Sequence, residues 1–198
     1  MTDPKSTLPT ALVVIDVQEA MFGPGQQPPV LQAEKVVANI ATLLSKARSA
    51  GAMVVYIQHH DQVDPAMQPG TTGFAIRAAI APEPGETVVV KRICDCFTQT
   101  NLEQVLREAG IRRLVTCGIQ TDFCVDSGSR GAMNRGFDVI LASDAHTTWD
   151  NDVLCAEQII AHVNATLPNT SGPNARIQVK RTAEIQFAMV TNAGYGPV

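Results

Sequence analysis

The chain has 198 residues, of which 45% are apolar, 5% aromatic and 17% charged, with a formal net charge of -4. That length suits one domain around one aliphatic core, and the absence of any basic stripe excludes nucleic acid as an expected partner. No apolar run approaches the roughly 18 residues of a membrane span, and the opening MTDPKSTLPT lacks the pattern of a signal peptide, so no membrane contact and a cytoplasmic location are expected.

Residues 1–10 read as a polar tail and residues 11–198 as one domain. Residues 11–17 (ALVVIDV) are short, β-branched and preceded by Pro9, which predicts a strand buried on both faces. Within residues 30–50, Val36, Val37, Ile40, Leu43, Leu44 and Ala47 recur at helical spacing, and Gly51 follows as a C-terminal cap. Residues 53–58 (MVVYIQ) predict a second strand. Residues 59–86 form a long Pro- and Gly-rich loop with a short helix near 75–80, and loops of that length in compact domains are often functional. Residues 87–91 (TVVVK) predict a third strand. Thr100 and Glu103 resemble a capping box that opens a helix ending near Gly110. A fourth strand at 113–117, a helix at 124–135, a fifth strand at 138–142, a helix at 151–166 and a last strand at 177–180 complete the order.

Strands and helices alternate, which is the pattern of a parallel sheet with helices on both faces. The expected class is therefore α/β: a single-domain three-layer α/β/α fold with a mainly parallel, Rossmann-like six-stranded sheet. In such folds ligands bind beyond the carboxyl ends of the strands, near the point where strand order reverses. Chemistry should sit on residues that end strands.

Three such residues stand out. Asp16 ends the first strand inside an apolar run, where a carboxylate is costly without a partner. Lys91 ends the third strand after three valines, and Cys124 follows the fourth strand at a predicted helix start. Helix N-termini and nearby cations lower a thiol pKa, which would favour an attacking thiolate at Cys124. A carboxylate can take the thiol proton and return it to a leaving amine. The bland readings stand beside these: a turn aspartate, a solvated lysine and a small buried cysteine. The five cysteines are odd in number and irregular in spacing, so they make no disulfide framework.

The order of motifs resembles the isochorismatase-like cysteine hydrolases from Ala11 to about Glu184. The residues that carry the resemblance are Val14-Ile15-Asp16-Val17-Gln18 with Phe22, Lys91 to Thr100 with Leu102 and Leu106, Gly118 to Val125, Gly136 to Val139, and Ser143-Asp144-Ala145. The resemblance implies a triad of Asp16, Lys91 and Cys124, a cis bond between Ile119 and Gln120, and an oxyanion held by the N–H groups of Gln120 and Cys124. It also implies a homo-oligomer. Family members that cleave a vinyl ether generally lack the cysteine, so Cys124 favours hydrolysis of a small amide or lactam. Nicotinamidases carry Asp-x-His and a later His as a metal site after the second strand. Here the stretch is Gln58-His59-His60-Asp61 with no later His before Lys91, so no metal and no cofactor are expected.

Around the triad, Gln18 either positions substrate or water or makes a strand-end hydrogen bond. Phe22 and Trp149 can wall an apolar pocket, although Trp149 also suits interface packing. His59 and His60 end the second strand near the pocket. Cys94 and Cys96 read as bystanders and Asp144 as a loop cap. Two other functions compete on the same fold: a vinyl-ether hydrolase using Asp16 with Cys124 idle, and a non-catalytic small-molecule-binding or scaffold protein.

Overall fold

Every residue of the first strand, β1 (Thr10–Ile15), is buried, as covering layers on both faces require. The computed structural model describes residues 8–23, 28–172 and 174–188. It adds strands β2 (Met53–His59), β3 (Thr87–Lys91), β4 (Arg113–Ile119), β5 (Asp138–Thr147) and β6 (Ile177–Lys180). The helices are α1 (Ala33–Ser49), α2 (Leu102–Glu108), α3 (Asp126–Asn134) and α4 (Ala156–Thr166). The strands form one six-stranded sheet in the order β3-β2-β1-β4-β5-β6, with every neighbouring pair parallel. Strand order reverses between β1 and β4, so the crevice expected for a ligand lies at their carboxyl ends.

Alternation along β1 divides the core. Leu12 and Val14 pack in the cluster that holds the apolar stripe of α1. Ala11, Val13 and Ile15 pack in the cluster that holds Leu102 and Leu106 of α2, Ala132 and Met133 of α3, and Val163 of α4. One helix covers one face and three cover the other. Ile185 and Phe187 from the C-terminal segment help fill the α1 side, held there as Lys46 Nζ donates to the carbonyls of Thr182, Ala183 and Ile185. Among the described residues no helix is long and apolar enough to cross a membrane.

Several local expectations need correction. The capping box at Thr100 does not form: the Thr100 hydroxyl accepts from Leu102 N at 3.3 Å, and Glu103 turns to Arg107 and Arg135 instead. Helix α4 starts at Ala156 rather than 151, because Asn151 Oδ1 accepts from Val153 N and Leu154 N and closes a turn, while Asp150 Oδ1 accepts from Ala156 N. The helix expected at 124–135 begins as a π-helical turn, Thr121–Val125, before α3. Strands β4 and β5 both run past their expected ends. Thr116 pairs with Leu141 but Gly118 pairs with His146, so β4 advances from 116 to 118 while β5 advances from 141 to 146. Ser143 and Asp144 interrupt the apolar pattern within that bulge, which hides the rest of the strand from an apolar-run reading. Asp144 within it accepts from Thr182 N at 2.8 Å and from Thr182 Oγ1 at 2.7 Å.

Candidate active site

The end of β1 is shaped by its neighbour. Gly118 on β4 has φ +123°, and a Cβ there would lie 2.0 Å from the Ile15 carbonyl oxygen, so only glycine fits beside β1. Asp16 follows with φ 52°, an uncommon conformation for a residue with a side chain. Its N–H donates to Ile57 O at 3.0 Å. This sharp turn carries the carboxylate out of the strand direction to the sheet's carboxyl edge.

Lys91 arrives from two strands away. Its backbone pairs in register with His59, and its side chain is 0% exposed. Nζ lies 2.6 Å from Asp16 Oδ2, 3.1 Å from Cys124 Sγ and 3.0 Å from His59 Nδ1. An ammonium only donates; it hydrogen-bonds to Cys124 Sγ and His59 Nδ1 and pairs by charge with Asp16 Oδ2. Because Nζ can only donate, His59 Nδ1 accepts, and its neutral ring carries the proton on Nε2. The Asp16, His59 and Cys124 donor atoms lie within 4.8 Å of one another and would suit a metal ion by type. The Lys91 ammonium stands among them and meets the same need for positive charge.

Burial acts on each member. It lowers the His59 pKa, and the Lys91 charge adds to that, which keeps the ring neutral. For Lys91, burial works downward, but the charges of Asp16 and Cys124 outweigh it and the pKa is raised. Burial pushes the Cys124 thiol up, the Asp16 charge adds to this, and Lys91 opposes both. The sequence suggests a thiolate favoured by a helix N-terminus and a cation. The structure gives the opposite direction: resting Cys124 is a neutral thiol beside an Asp16–Lys91 ion pair, which leaves the buried cluster with no net charge beyond its balanced pair.

These residues lie at and beneath the floor of a cavity of about 870 Å³, within the range of small-molecule sites. Asp16, His59, Ile119, Gln120, Cys124 and Trp149 line it. The Ile119–Gln120 bond is cis, and Gln120 O accepts from Phe123 N and Val125 N, closing the π turn on itself. Asp16 Oδ1 is buried and accepts no hydrogen bond among the described residues. Phe123, 52% exposed, stands at the mouth.

Gln18 takes the second of its two expected roles, a strand-end hydrogen bond, and Phe22, expected to wall the pocket, is placed elsewhere. Gln18 is 0% exposed and does not line the cavity. Its Nε2 donates to His59 O at 3.1 Å and Phe74 O at 2.9 Å, and its Oε1 accepts from His59 N at 2.7 Å. It therefore grips the backbone of His59 from both sides and anchors the long loop. Phe22 packs in the α1-side core with the Arg77 guanidinium 4.8 Å above its ring, because Phe22 falls on the inner side of a 3-10 turn at Glu19–Phe22. Trp149 does line the cavity, with Nε1 donating to Pro28 O at 2.6 Å. His60 faces Gln68 and Arg92 and is not a lining residue. Cys94 lines the cavity, while Cys96 is buried in the core and pushed up to about 12 by burial.

The loop over residues 60–86 forms the opposite wall. Its backbone meets the segment after β1: Glu19 N donates to Ala75 O, Ala20 N to Gly73 O, and Arg77 N to Val17 O. It contributes Asp61, Asp64 and Met67 to the lining, and no Lys or Arg side chain among the described residues joins them. The sequence alone did not mark these loop carboxylates; only the loop's length signalled them.

Comparison with known proteins follows the same lines. The isochorismatase domain model matches residues 10–165. The chain is similar to a streptothricin hydrolase of Streptomyces noursei, 34% identical over 192 residues covering 94% of this chain and 74% of the relative. It is also similar to a ureidoacrylate amidohydrolase of Rhizobium rhizogenes, 32% identical over 170 residues covering 69% of each chain. Among solved structures, an isochorismatase hydrolase from Oleispira antarctica superposes with a TM-score of 0.80 at 31% identity, covering 93% of this chain and 97% of that one.

Proposed function

The chain belongs to the isochorismatase-like hydrolase family, and we propose that it hydrolyses a small amide, lactam or related C–N bond through a thioester on Cys124. The observation that carries this reading is the Lys91 ammonium, which forms an ion pair with Asp16 Oδ2 and donates to Cys124 Sγ beside the cavity. Relatives named streptothricin hydrolase and ureidoacrylate amidohydrolase support the hydrolytic class.

The chemistry follows from proton inventory. Asp16 takes the Cys124 proton as Sγ attacks the carbonyl carbon. The cluster's total charge does not change in that transfer, so no new buried charge needs solvation. Lys91 holds both anions in turn. The carbonyl oxygen becomes an oxyanion held by the N–H groups of Gln120 and Cys124. As the tetrahedral species collapses, the carbon–nitrogen bond breaks and Asp16 gives its proton to the leaving nitrogen. Water then attacks the thioester, Asp16 accepts its proton, and the Cys124 thiol re-forms as the acid product leaves. Neutral His59 presents Nε2–H as a donor to substrate.

The cavity's charge narrows the substrate. Asp61 is held ionised by N–H bonds from Val63 and Asp64, Asp64 stands beside it, and no lining cation answers them among the described residues. A neutral or cationic amide suits this wall better than an anionic one.

The test is a rapid acid quench with a panel of amides, lactams and nicotinamide, followed by mass spectrometry of the Cys124 peptide. An acyl adduct on wild type, with activity lost in Cys124→Ala, is expected. Full activity in Cys124→Ala would reject the thioester and return the vinyl-ether reading, in which Asp16 acts alone.

A further inference from the structure

The π turn Thr121–Val125 carries Cys124 and follows directly on Gln120. Two side-chain bonds join this turn to the end of β5. His146 Nδ1 meets Thr121 Oγ1 at 2.8 Å, and Thr148 Oγ1 donates to Asp122 Oδ1 at 2.7 Å. His146 and Thr121 are 2% and 0% exposed. No bond-making or proton-transfer step of the hydrolysis involves this histidine, and a buried polar side chain is tolerated only where its hydrogen bonds are complete.

The protons of this row can be assigned one by one. Asn164 Nδ2 donates to Ser143 O at 3.2 Å, which leaves Asn164 Oδ1 facing His146 Nε2 at 3.0 Å. An amide oxygen only accepts, so Nε2 carries the hydrogen. Burial keeps the His146 ring neutral, down to about 4, so Nδ1 offers a lone pair and the Thr121 hydroxyl must donate to it. The row runs in one direction: Thr121 to His146 to Asn164 to the Ser143 carbonyl. It links the nucleophile turn to α4 across the β5 bulge, and the bulge is what brings His146 opposite Gly118.

We propose that His146 is a positioning residue for hydrolysis: through the Thr121 hydroxyl it fixes the turn whose N–H groups receive the oxyanion. This inference rests on the amide-hydrolase reading above. Rigid side-chain networks of this kind specify one geometry, and oxyanion donors act only when pre-set at the position where charge develops. Thr148 and Asp122 hold the same turn one residue further on.

Thr121→Val removes the hydroxyl at nearly constant volume, and Thr121→Ser keeps it. In Thr121→Val, kcat should fall about 10- to 100-fold with KM within about twofold of wild type, as a small misplacement of reacting groups costs. Thr121→Ser should restore most of kcat. His146→Leu should behave as Thr121→Val, and if it fails to fold the threonine pair still decides. A second readout needs no substrate: the amides of residues 120–124 should exchange hydrogen faster in Thr121→Val, while those of β1 should not. Unchanged exchange in the turn, or unchanged kcat in Thr121→Val, would overturn the proposal. Exchange decides the clasp even where no amide is turned over, so its failure is distinct from failure of the hydrolase reading.

Discussion

Lys91 Nζ lies 2.6 Å from Asp16 Oδ2, with the two side chains 0% and 1% exposed. A pair so sealed is not a source of net stability, since both charges have lost their water. Its members depend on each other instead. Lys91→Met should cost about 3–5 kcal/mol, because it strands a buried carboxylate. The double variant Lys91→Met with Asp16→Leu should recover much of that loss. Urea unfolding of the set checks both, and equal stability of single and double variants would contradict the pairing.

The direction of the Cys124 shift reverses a common expectation for a nucleophilic thiol. Burial raises it first, and Asp16 adds to that. Alkylation of wild-type Cys124 by iodoacetamide should therefore be slow at neutral pH and rise only in alkali. Asp16→Asn removes the opposing charge but keeps the Lys91 contact. Its alkylation at pH 8 should be faster than wild type by roughly tenfold, the effect of one unit in a thiol's titration, while hydrolysis is lost. Peptide mass spectrometry separates Cys124 from the other four cysteines. A wild-type thiol that alkylates readily at pH 6 would sink this account.

His146 gives the fold a pH dependence of known sign. Its folded value lies near 4 against 6.5 for the free side chain, with burial the leading cause and Asn164 opposing. Between those values the unfolded chain binds a proton that the folded chain refuses, so stability is full above about pH 6.5 and falls as pH drops towards 4. The loss attributable to this residue is roughly 3 kcal/mol. Urea unfolding at pH 7, 5.5 and 4.5 should show it, and His146→Leu should have a flatter profile. Identical slopes for the two proteins would rule out His146 as the source.

The wall carboxylates should act on selection and not on chemistry. Asp61→Asn should raise KM for cationic amides severalfold and leave kcat close to wild type, as loss of an exposed charge complement does. The effect should shrink as salt is added. A paired assay on one cationic and one anionic amide of equal size measures it, and a change of equal size for both would argue against charge selection. Asp61 Oδ1 also caps the turn at Val63 and Asp64, and asparagine keeps that acceptor.

Asp16 and Lys91 were legible in the sequence because each ends an apolar strand, and Cys124 because it follows the fourth strand at a predicted helix start; their grouping as a triad came from the family resemblance. The sheet was legible because strands such as TVVVK and MVVYIQ announce themselves by composition. What was hidden depends on contacts distant in sequence. Gln18 reads equally as a substrate ligand or a strand-end hydrogen bond, and only its partner at His59, 41 residues away, which takes both ends of its amide, decides for the second. Phe22 looks like a pocket wall until the 3-10 turn rotates it inward. The thiol's direction of shift depends on burial, which no local motif reports. His146 lies just beyond the β5 bulge, where Ser143, Asp144, His146 and Thr147 break the apolar pattern and leave no periodic signal.

The loop over residues 60–86 is fastened by backbone hydrogen bonds at Gly73, Ala75 and Arg77, with Gln18 gripping the Phe74 carbonyl from the other side. Apart from Gly73, where a Cβ would lie 2.5 Å from Ala66 O, none of those attachments requires a particular side chain from the loop. Reaction and recognition are thus written in separable parts of the chain. Residues of 61–72 line the cavity, and on the proposed reading substitutions there would meet the substrate from the wall opposite Cys124. On that reading, such an arrangement would let substitutions in the loop change the substrate while the Asp16–Lys91–Cys124 cluster stays as it is.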